Sequence, residues 1–298
     1  MGGSEIVYHG LLSSINPELR EGYDICMTPR IPDKRKITVL YCQCSYDDSN
    51  WNGPLKDSNF VDMFDHIILV SHWQFEKFRQ HFSLPEHKCH VIKNCIDPVG
   101  YREKPKSGKL KLIYLSTPNR GLDVLVDAFV MLGREDLELD VYSSFKIYGP
   151  AFEKAEESFK PLYDYCRQAE GVNYHGSVSN PEVRQALQRS HIFAYPSTFE
   201  ETFCVALAEA MSAGCWPVLS NIGALPEISG GYGTMYGFLP SKREHAKRLA
   251  KVLDRVADSY QTPQIKEQLK RQVEHVDFFH SWERRAGEWQ SFFETNRR

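Results

Sequence analysis

The sequence predicts an α/β protein built from two parallel-sheet domains that face a cleft. Three observations support this fold class. The chain has 298 residues, a comfortable length for two domains of ordinary size. Short apolar, β-branched runs alternate with longer amphipathic ones, as in parallel sheets covered by helices on both faces. A stretch rich in proline, glycine and lysine at 97–109 interrupts this alternation and indicates a linker.

The first half of the chain contains four runs that read as strands, at 23–27, 37–42, 66–71 and 90–94. The segment 71–82 predicts a helix, because Ser71 is a suitable N-cap and Leu84-Pro85 follows its end. The polar, turn-rich segment 43–60 predicts a long loop. Loops of that length in compact domains are often functional.

The second half repeats the pattern after the linker. Its apolar runs predict strands at 111–116, 145–149, 172–176, 191–196, 216–220 and 236–240. Apolar residues at helical spacing predict a helix over 121–132. We therefore expect an N-terminal domain over 1–100, a C-terminal domain over 101–277, and an aromatic-rich last helix over 278–298 that packs back on the N-terminal domain. Ligands in such folds bind beyond the carboxyl ends of the strands.

Composition excludes several classes of protein. The net charge is −3 with a pI near 6.4, which argues against a nucleic-acid partner. No apolar run is long enough for a transmembrane segment, and the first residues lack the features of a signal peptide. We expect a cytoplasmic protein, with peripheral membrane contact left open. The eight cysteines show no paired framework, and "HKCHVIKNC" matches no standard zinc spacing, so no metal site is expected.

The segment "FEETFCVALAEAMSAGCWPV" (199–218) predicts a helix that follows a buried strand. Thr202 is a plausible N-cap and Gly214 a plausible end. The free amides at the start of this helix would then belong to Phe203, Cys204 and Val205. Helix N-termini of this kind bind anions, since unpaired N–H groups and the helix dipole both favour negative charge.

Glu201 and Glu209 lie on either side of this predicted helix start. Glu209 is seven residues past Thr202, about 10 Å along the helix and on nearly the same face. Carboxylates accept hydrogen bonds from sugar hydroxyls, so Glu209 fits a ribose, the amides a diphosphate and Glu201 the sugar of a nucleotide-sugar. Glu200 is out of register and is expected to be solvated. Spacing alone leaves open a surface helix with acids on its wet face.

A second helix start lies at the same edge of the predicted sheet. In "YLSTPNRGLDVLVDAF", a strand and a short loop place Arg120 just before the 121–132 helix. The planar guanidinium suits phosphate oxygens. Arg120 alone is also compatible with a capping or surface role. Together with the helix start near Val205, it favours an anion site.

Several motifs occur in an order that resembles the retaining GT-B glycosyltransferases of family four. They are the E-x7-E element from Glu201 to Glu209, "ALPEI", "SGGYGTMYGF", "LSTPNRGLDVLVDAF", "IKNCIDP" and "MGGSE". The resemblance implies two Rossmann-like domains. It also implies transfer of a sugar from a nucleotide-diphosphate sugar to an acceptor hydroxyl with retention of configuration. A UDP- or GDP-sugar would be the first donor to expect. The acceptor would be a glycan, a lipid-linked or a small molecule, and no metal or other cofactor would be required.

The resemblance also assigns roles to residues. Glu201 would contact the donor sugar and Glu209 the ribose, and Arg120 would neutralise the departing diphosphate. Gly2 and Gly3 would let backbone amides approach the phosphates, with Ser4 helping. The remaining donor-side candidates are Ser116, Thr117, Thr202, Phe203, Cys204 and Val205, and, near the base, Tyr148, Gly149, Ser177 and Val178.

The sequence departs from the family pattern in three places. Ser116, followed by Thr117, stands where the family has its first basic residue, so Arg120 would act alone. In the region where the family often has a histidine, this chain offers Gln43, Asp47 and Asp48 as acceptor-side candidates, with a solvated loop as the alternative. No strand precedes the glycine loop, so the N-terminal domain is expected to be reduced.

Two other function classes remain open. A sugar-nucleotide epimerase also uses two such domains, although it needs a base near the sugar and none is evident in residues 1–100. A degenerate, non-catalytic sugar-nucleotide binder would account for the missing strand and for Ser116.

Overall fold

The computed structural model describes residues 2–105 and 108–297. Met1, Lys106, Ser107 and Arg298, which the predicted first domain, linker and last helix include, lie outside this range. The described chain forms two parallel sheets, one of four strands and one of six. The predicted α/β class with two parallel-sheet domains is therefore confirmed.

The first sheet has the strand order β1-β2-β3-β4. Its strands are β1 (Tyr23–Cys26), β2 (Ile37–Cys42), β3 (His66–Leu69) and β4 (Cys89–Val91). The helices of this half are α1 (Gly3–Ser14), α2 (Pro17–Arg20), α3 (Ser49–Lys56), α4 (Ser58–Val61) and α5 (His72–His81). Every residue of β2 is buried, as expected of an apolar strand covered on both faces.

The second sheet has the order β10-β9-β8-β5-β6-β7. Its strands are β5 (Leu110–Leu115), β6 (Leu137–Tyr142), β7 (Val172–Tyr174), β8 (Ile192–Tyr195), β9 (Trp216–Ser220) and β10 (Thr234–Tyr236). Its helices are α6 (Leu122–Leu132), α7 (Glu153–Ser158), α8 (Lys160–Gln168), α9 (Asn180–Arg189), α10 (Val205–Ser212), α11 (Leu225–Ser229) and α12 (Lys242–Ser259). Two more helices, α13 (Pro263–Phe279) and α14 (Trp282–Thr295), follow.

Four predicted elements were wrong. The strand expected at 236–240 is β10, which covers Thr234–Tyr236 and ends where the prediction begins. The segment 145–149, predicted as a strand, contains a 3₁₀ turn at Phe145–Tyr148. The strand that was not predicted is β6, whose residues alternate between buried and half-buried. The predicted loop 43–60 contains α3 and α4, because Asp48 and Asp57 accept hydrogen bonds from the amides of Asn50 and Asn59 and cap them. The predicted glycine loop is the start of α1, where the Gly2 amide donates to Glu5 Oε2 at 3.0 Å.

The last helix packs across the first sheet. Trp289 of α14 lies edge-on to Tyr41 of β2, with ring centroids 5.1 Å apart. The Tyr23 hydroxyl donates to the carbonyl oxygen of Phe293 at 2.6 Å. One buried hydrophobic cluster consequently includes Trp289 and Phe293 together with residues of both sheets. The end of the chain thus covers the face of the domain at its beginning.

The segment after the first sheet runs along the second domain and is anchored there by Lys104. Its ammonium donates to the carbonyl oxygens of Leu187, Gln188 and Ala213, at 2.8–2.9 Å. These carbonyls end α9 and follow α10, where the negative ends of two helix dipoles stabilise a cation. Burial lowers the pKa of Lys104.

His280 makes the stability of this arrangement depend on pH. It lies between α13 and α14, where its carbonyl oxygen accepts from the Ile96 amide at 2.7 Å. Burial, together with the positive charges of Arg285 and Lys93, lowers the pKa of its side chain to about 3. In the unfolded chain, His280 has an ordinary histidine pKa of about 6.5. Between the two pKa values the unfolded chain therefore binds a proton at His280 and the folded chain does not. His280 should therefore contribute a loss of stability as the pH drops from about 6.5 toward 3, amounting to about 2 kcal/mol between pH 7 and 5.

Urea unfolding at pH 7 and pH 5 tests this expectation. His280→Gln should lose less stability between the two pH values than the wild type does, whereas His87→Gln, a change at an exposed histidine, should leave the difference unchanged. An equal loss in the wild type and His280→Gln would contradict the assignment.

Candidate active site

A cavity of about 870 Å³ opens beyond the carboxyl ends of the strands, and residues from both halves of the chain line it. This is the position expected for a ligand site in parallel α/β sheets. All the candidate site residues line this cavity, except Gly149, which ends the turn at Phe145–Tyr148. From the first half come Gly2, Gly3, Ser4, Gln43, Asp47 and Asp48, and from the second half Ser116, Thr117, Arg120, Tyr148, Ser177, Val178, Glu201, Thr202, Phe203, Cys204, Val205 and Glu209.

The helix at the centre of the site begins later than predicted. Thr202 is not its N-cap, because Cys204 adopts a left-handed backbone conformation (φ 76°) and α10 starts at Val205. The Thr202 hydroxyl instead lies 3.3 Å from the Gln43 carbonyl oxygen, to which it donates. The amides of the first turn that have no partner within the helix are consequently those of Val205 and the two residues after it. Of these, the amides of Ala206 and Leu207 interact with the Cys204 sulfur.

Cys204 itself lies against this helix start. Burial raises the pKa of its thiol, while the backbone N–H groups of Leu207 and Ala206 act in the opposite direction. The thiol therefore remains neutral beside amides that would favour an anion.

Arg120 and Glu201 form an ion pair, with Arg120 Nη1 and Glu201 Oε1 2.5 Å apart. The guanidinium also stacks on Phe199, whose ring centroid is 4.0 Å from Arg120 Cζ. Burial would lower the pKa of Arg120, but the charge of Glu201 raises it above its usual value. Arg120 is thus a permanent cation at the wall of the cavity.

Two glycines make the approach of these side chains feasible. Gly121 has φ 97°, and a Cβ there would lie 2.1 Å from the Pro196 carbonyl oxygen. Gly223 has φ 63°, and its Cβ would lie 2.5 Å from the Glu201 amide nitrogen. Only a residue without a side chain permits both the left-handed conformation and the close contact. The loops that carry Arg120 and Glu201 can therefore meet.

Tyr195 was not singled out by the sequence analysis, yet it belongs to this cluster. Its hydroxyl donates to Glu201 Oε1 at 2.5 Å and lies 3.2 Å from Ser116 Oγ. Burial and the nearby charge of Glu201 raise its pKa well above the usual value. A buried tyrosine at the end of a strand gives no sequence signal beyond its apolar neighbours.

Glu209 lies nearer to the helix start than predicted. Because α10 begins at Val205, Glu209 is about 6 Å past the helix start rather than 10 Å. Burial raises its pKa, and Arg184, 3.3 Å away through Nη1, acts in the opposite direction. Arg184 also donates to the carbonyl oxygens of Asp97 and Pro98. The contact between Arg184 and Glu209 could not be predicted from the sequence, because Arg184 belongs to α9 and Glu209 to α10.

Glu200 is not the solvated neighbour that its register suggested. The Tyr46 hydroxyl donates to Glu200 Oε2 at 2.8 Å, and Lys77 Nζ lies 3.5 Å from Oε1. Both partners belong to the N-terminal half. Glu201 therefore contacts Arg120 in its own half of the chain, while Glu200 contacts the N-terminal half.

A second acid connects the two halves at a distance from this pair. Glu227 of "ALPEI" accepts hydrogen bonds from the amides of His72 (3.1 Å) and Trp73 (2.9 Å) at the start of α5. Lys93 Nζ lies 2.7 Å from its carboxylate. Burial raises the pKa of Glu227, but these partners lower it to below the ordinary value. The carboxylate thus caps a helix of the other domain.

The candidate residues of the first domain differ in whether their polar groups already form hydrogen bonds within the protein. Gln43 forms a reciprocal amide pair with Asn94, with bonds of 2.7 and 3.0 Å. Asp48 caps α3. The N-terminus of α1 lies against α10, since a Cβ on Gly3 would be 3.6 Å from Val205 Cγ2. The N-termini of two helices therefore face the same cavity.

Residues 2–105 and 108–297 show neither of two features that bear on ligands and membranes. They contain no group of three or more histidine, cysteine or acidic side chains arranged to hold a metal ion. No helix within these ranges is both long and apolar enough to cross a bilayer.

The comparisons with known proteins agree with this geometry. Residues 102–273 match the family model described as "Glycosyl transferases group 1". The chain belongs to this family. The match includes Arg120, Glu201 and Glu209, so the three charged residues that the sequence analysis emphasised lie in the family domain.

Curated relatives match part of the chain. The gpi3 subunit of phosphatidylinositol N-acetylglucosaminyltransferase from Schizosaccharomyces pombe is 25% identical over 220 residues, 72% of this chain and 46% of that protein. The GPI3 subunit of the enzyme of the same name from Saccharomyces cerevisiae is 27% identical over 185 residues, 58% of this chain and 39% of that protein. The chain thus spans less than half of the length of these relatives.

Solved structures show the same fold at low identity. Anabaena Alr3699/HepE, solved in complex with UDP-glucose, superposes with a TM-score of 0.71 at 15% identity, covering 88% of this chain and 73% of that one. A glycosyltransferase from Rickettsia africae gives a TM-score of 0.70 at 15% identity, covering 99% and 82%. The two parallel-sheet domains therefore have the GT-B arrangement.

The strained conformation at Cys204 leads to a stability prediction. A non-glycine residue in the left-handed region costs about 1–2 kcal/mol, and a β-branched residue costs more. Cys204→Gly should leave the free energy of unfolding unchanged or raise it by about 1 kcal/mol, because relief of strain offsets the greater freedom of the unfolded chain. Cys204→Val should lower it by about 2 kcal/mol or more.

Urea unfolding of both variants checks this order. The matched control is Cys166, a buried cysteine inside α8, where a glycine should be the more harmful of the two substitutions. A glycine variant at 204 that is less stable than the valine variant would refute the account.

Proposed function

We propose that this chain transfers a sugar from a nucleotide-diphosphate sugar to an acceptor hydroxyl, with retention and without a required metal, as a family-four enzyme. The observation that carries the proposal is the Arg120–Glu201 pair, which lines the cavity next to the start of α10. It lies within the segment that matches the family. This arrangement combines a fixed cation, the N–H groups of a helix start and a carboxylate that can accept sugar hydroxyls.

The diphosphate would lie between Arg120 and the first amides of α10. Charge that develops on the leaving diphosphate would then be stabilised by a guanidinium and by a helix N-terminus that need no reorganisation. Retention would follow if the acceptor attacks the same face from which the diphosphate departs, through an oxocarbenium-like state.

The remaining roles follow from position along the cavity. Glu201 would accept a hydroxyl of the donor sugar and Glu209 a hydroxyl of the ribose, each as a carboxylate acceptor. Tyr148, Ser177 and Val178 line the cavity where the base would lie. Gly2, Gly3 and Ser4, at the start of α1, would lie near the phosphates of the donor.

We propose the division into an N-terminal acceptor-side domain (1–100), a C-terminal donor domain (101–277) and a last helix (278–298). On the first domain, Gln43, Asp47 and Asp48 are the candidates that would receive the acceptor. Eight free cysteines are compatible with a reducing compartment, which supports a cytoplasmic location.

The similar proteins indicate which substrates to test first. Alr3699/HepE was solved with UDP-glucose, and the pneumococcal O-GlcNAc transferase GtfA with UDP and GlcNAc. The curated relatives are named as subunits of a phosphatidylinositol N-acetylglucosaminyltransferase. We therefore propose a UDP-sugar donor, with a GDP-sugar second, and a lipid-linked acceptor ahead of a glycan or small molecule.

A thermal-shift panel of UDP-, GDP-, ADP- and dTDP-sugars tests donor binding. A ligand at 100 times its Kd stabilises the folded state by about 2.7 kcal/mol, so a UDP-sugar should raise the Tm by about 5 °C or more. Arg120→Ala should abolish most of this shift. Arg134→Ala, a change in a surface cluster with Asp136, Asp254 and Asp258, should preserve it. If no nucleotide-sugar shifts the wild type, donor binding is wrong.

Transfer assays test the site. Glu201→Gln and Arg120→Ala should each lower kcat/KM by about 100-fold or more, since preorganised charge at a developing ion contributes about that factor. Glu200→Gln is the matched control, because it neutralises the adjacent acid and keeps an acceptor for Tyr46; it should change kcat/KM by less than about fivefold.

The products of the same assay separate the function classes. Full turnover by both Glu201→Gln and Arg120→Ala would reject the site assignment. An isomerised donor in the absence of acceptor would indicate an epimerase, and donor binding without transfer to any acceptor would indicate a non-catalytic binder.

A further inference from the structure

The loop between Tyr195 and Glu201 returns on itself, so its two ends meet. Ser197 Oγ accepts from the Phe199 amide at 3.2 Å and donates to the Phe199 carbonyl oxygen at 2.8 Å, which fixes the turn. Tyr195 ends β8 and is fully buried. Its hydroxyl consequently reaches Glu201 Oε1 from the sheet side of the cavity, at 2.5 Å.

The Glu201 carboxylate is held through one oxygen. Among residues 2–105 and 108–297, its hydrogen bonds come from Tyr195 and Arg120, and both end at Oε1. A carboxylate offers acceptor sites on each oxygen. The hydrogen bonds of the described residues to this carboxylate leave Oε2 without a donor. Two donors on one oxygen therefore fix the rotation of the carboxylate and keep Oε2 available as an acceptor.

Ser116 extends this arrangement. Its Oγ lies 3.2 Å from the Tyr195 hydroxyl. A tyrosine has one hydroxyl proton, which is committed to Glu201, so the bond between the two hydroxyls requires Ser116 as its donor. Ser116 thus contacts Tyr195, whose hydroxyl in turn contacts the Glu201 carboxylate. The serine leaves Tyr195 as the second donor to that group.

We propose that Tyr195 is a positioning residue for transfer: with Ser116 behind it, its hydroxyl orients the Glu201 carboxylate so that Oε2 accepts a hydroxyl of the donor sugar. This inference rests on the proposed function of the site. Tyr195 acts through Glu201 and not on the substrate. The high pKa of its buried hydroxyl keeps it a donor across the physiological pH range.

Tyr195→Phe removes only the hydroxyl and tests the proposal. UDP lacks the sugar, so calorimetry should give an unchanged Kd for UDP within about twofold. The Kd for the UDP-sugar that the wild type uses should rise, and kcat should fall by about tenfold or more, as expected when a hydrogen bond to a charged group is lost. Tyr236→Phe is the matched control, because it removes a buried hydroxyl that bonds His245 at 2.9 Å away from the cavity; its kinetics should equal those of the wild type.

A double-mutant cycle separates positioning from a structural role. In a Glu201→Gln background, Tyr195→Phe should no longer change the ratio of the Kd values for UDP-sugar and UDP, since the carboxylate that it orients is gone. If Tyr195→Phe fails to fold, Ser116→Ala provides a second variant. It should raise the same ratio by about twofold to threefold through loss of the outer hydroxyl.

The outcomes distinguish this proposal from the one on which it rests. Wild-type kcat and Kd ratio in Tyr195→Phe would overturn the positioning role alone, as would an equal weakening of UDP and UDP-sugar binding. A wild-type protein that neither binds nor transfers any sugar of the panel would overturn the proposed function, and the positioning role with it.

Discussion

The ion pair between Arg120 and Glu201 is the interaction on which the candidate site depends. Removing two charges from water costs several kcal/mol per ion, and a partly buried pair is favourable only when further bonds satisfy it. Here the Tyr195 hydroxyl supplies a second donor to Glu201, and the Phe199 ring covers the guanidinium. The pair also requires two loops to approach each other closely. Gly121 and Gly223 permit that approach because a Cβ at either position would collide with backbone atoms.

The fold could largely be predicted because strands buried on both faces have continuous apolar runs. β2 and β9 have the bounds that their sequences suggested. β6 was missed because its residues alternate between buried and half-buried, while "FKIYG" next to it has equal strand propensity and forms a turn. The start of α10 was misplaced for a related reason. Thr202 has the chemistry of an N-cap, but the backbone at Cys204 turns left-handed and delays the helix.

Which residues line the cavity could be predicted where a sequence motif marks them, and could not be predicted where none does. Arg120 precedes α6, Glu201 precedes α10 and Glu209 lies within α10, and all three line the cavity. Tyr195 and Arg184 act on these same carboxylates from a strand end and another helix. Those contacts arise only from tertiary packing, and a single sequence contains no pattern for them. The burial of Glu209, which raises its pKa, likewise depends on neighbours far away in the chain.

The charges around the cavity determine how a diphosphate could be held. Five carboxylates line it, from Glu5, Asp47, Asp48, Glu201 and Glu209, and Arg120 is the only lysine or arginine among the described lining residues. Because Arg120 is already paired with Glu201, its charge is only partly available to a second anion. With Ser116 in place of a cation, the amides at the start of α10 would contribute a larger share of the stabilisation. That share depends on a helix whose start is set by the left-handed backbone of Cys204, so under the proposed function the geometry of one strained residue and the charge of one shared arginine would together control how a diphosphate is held.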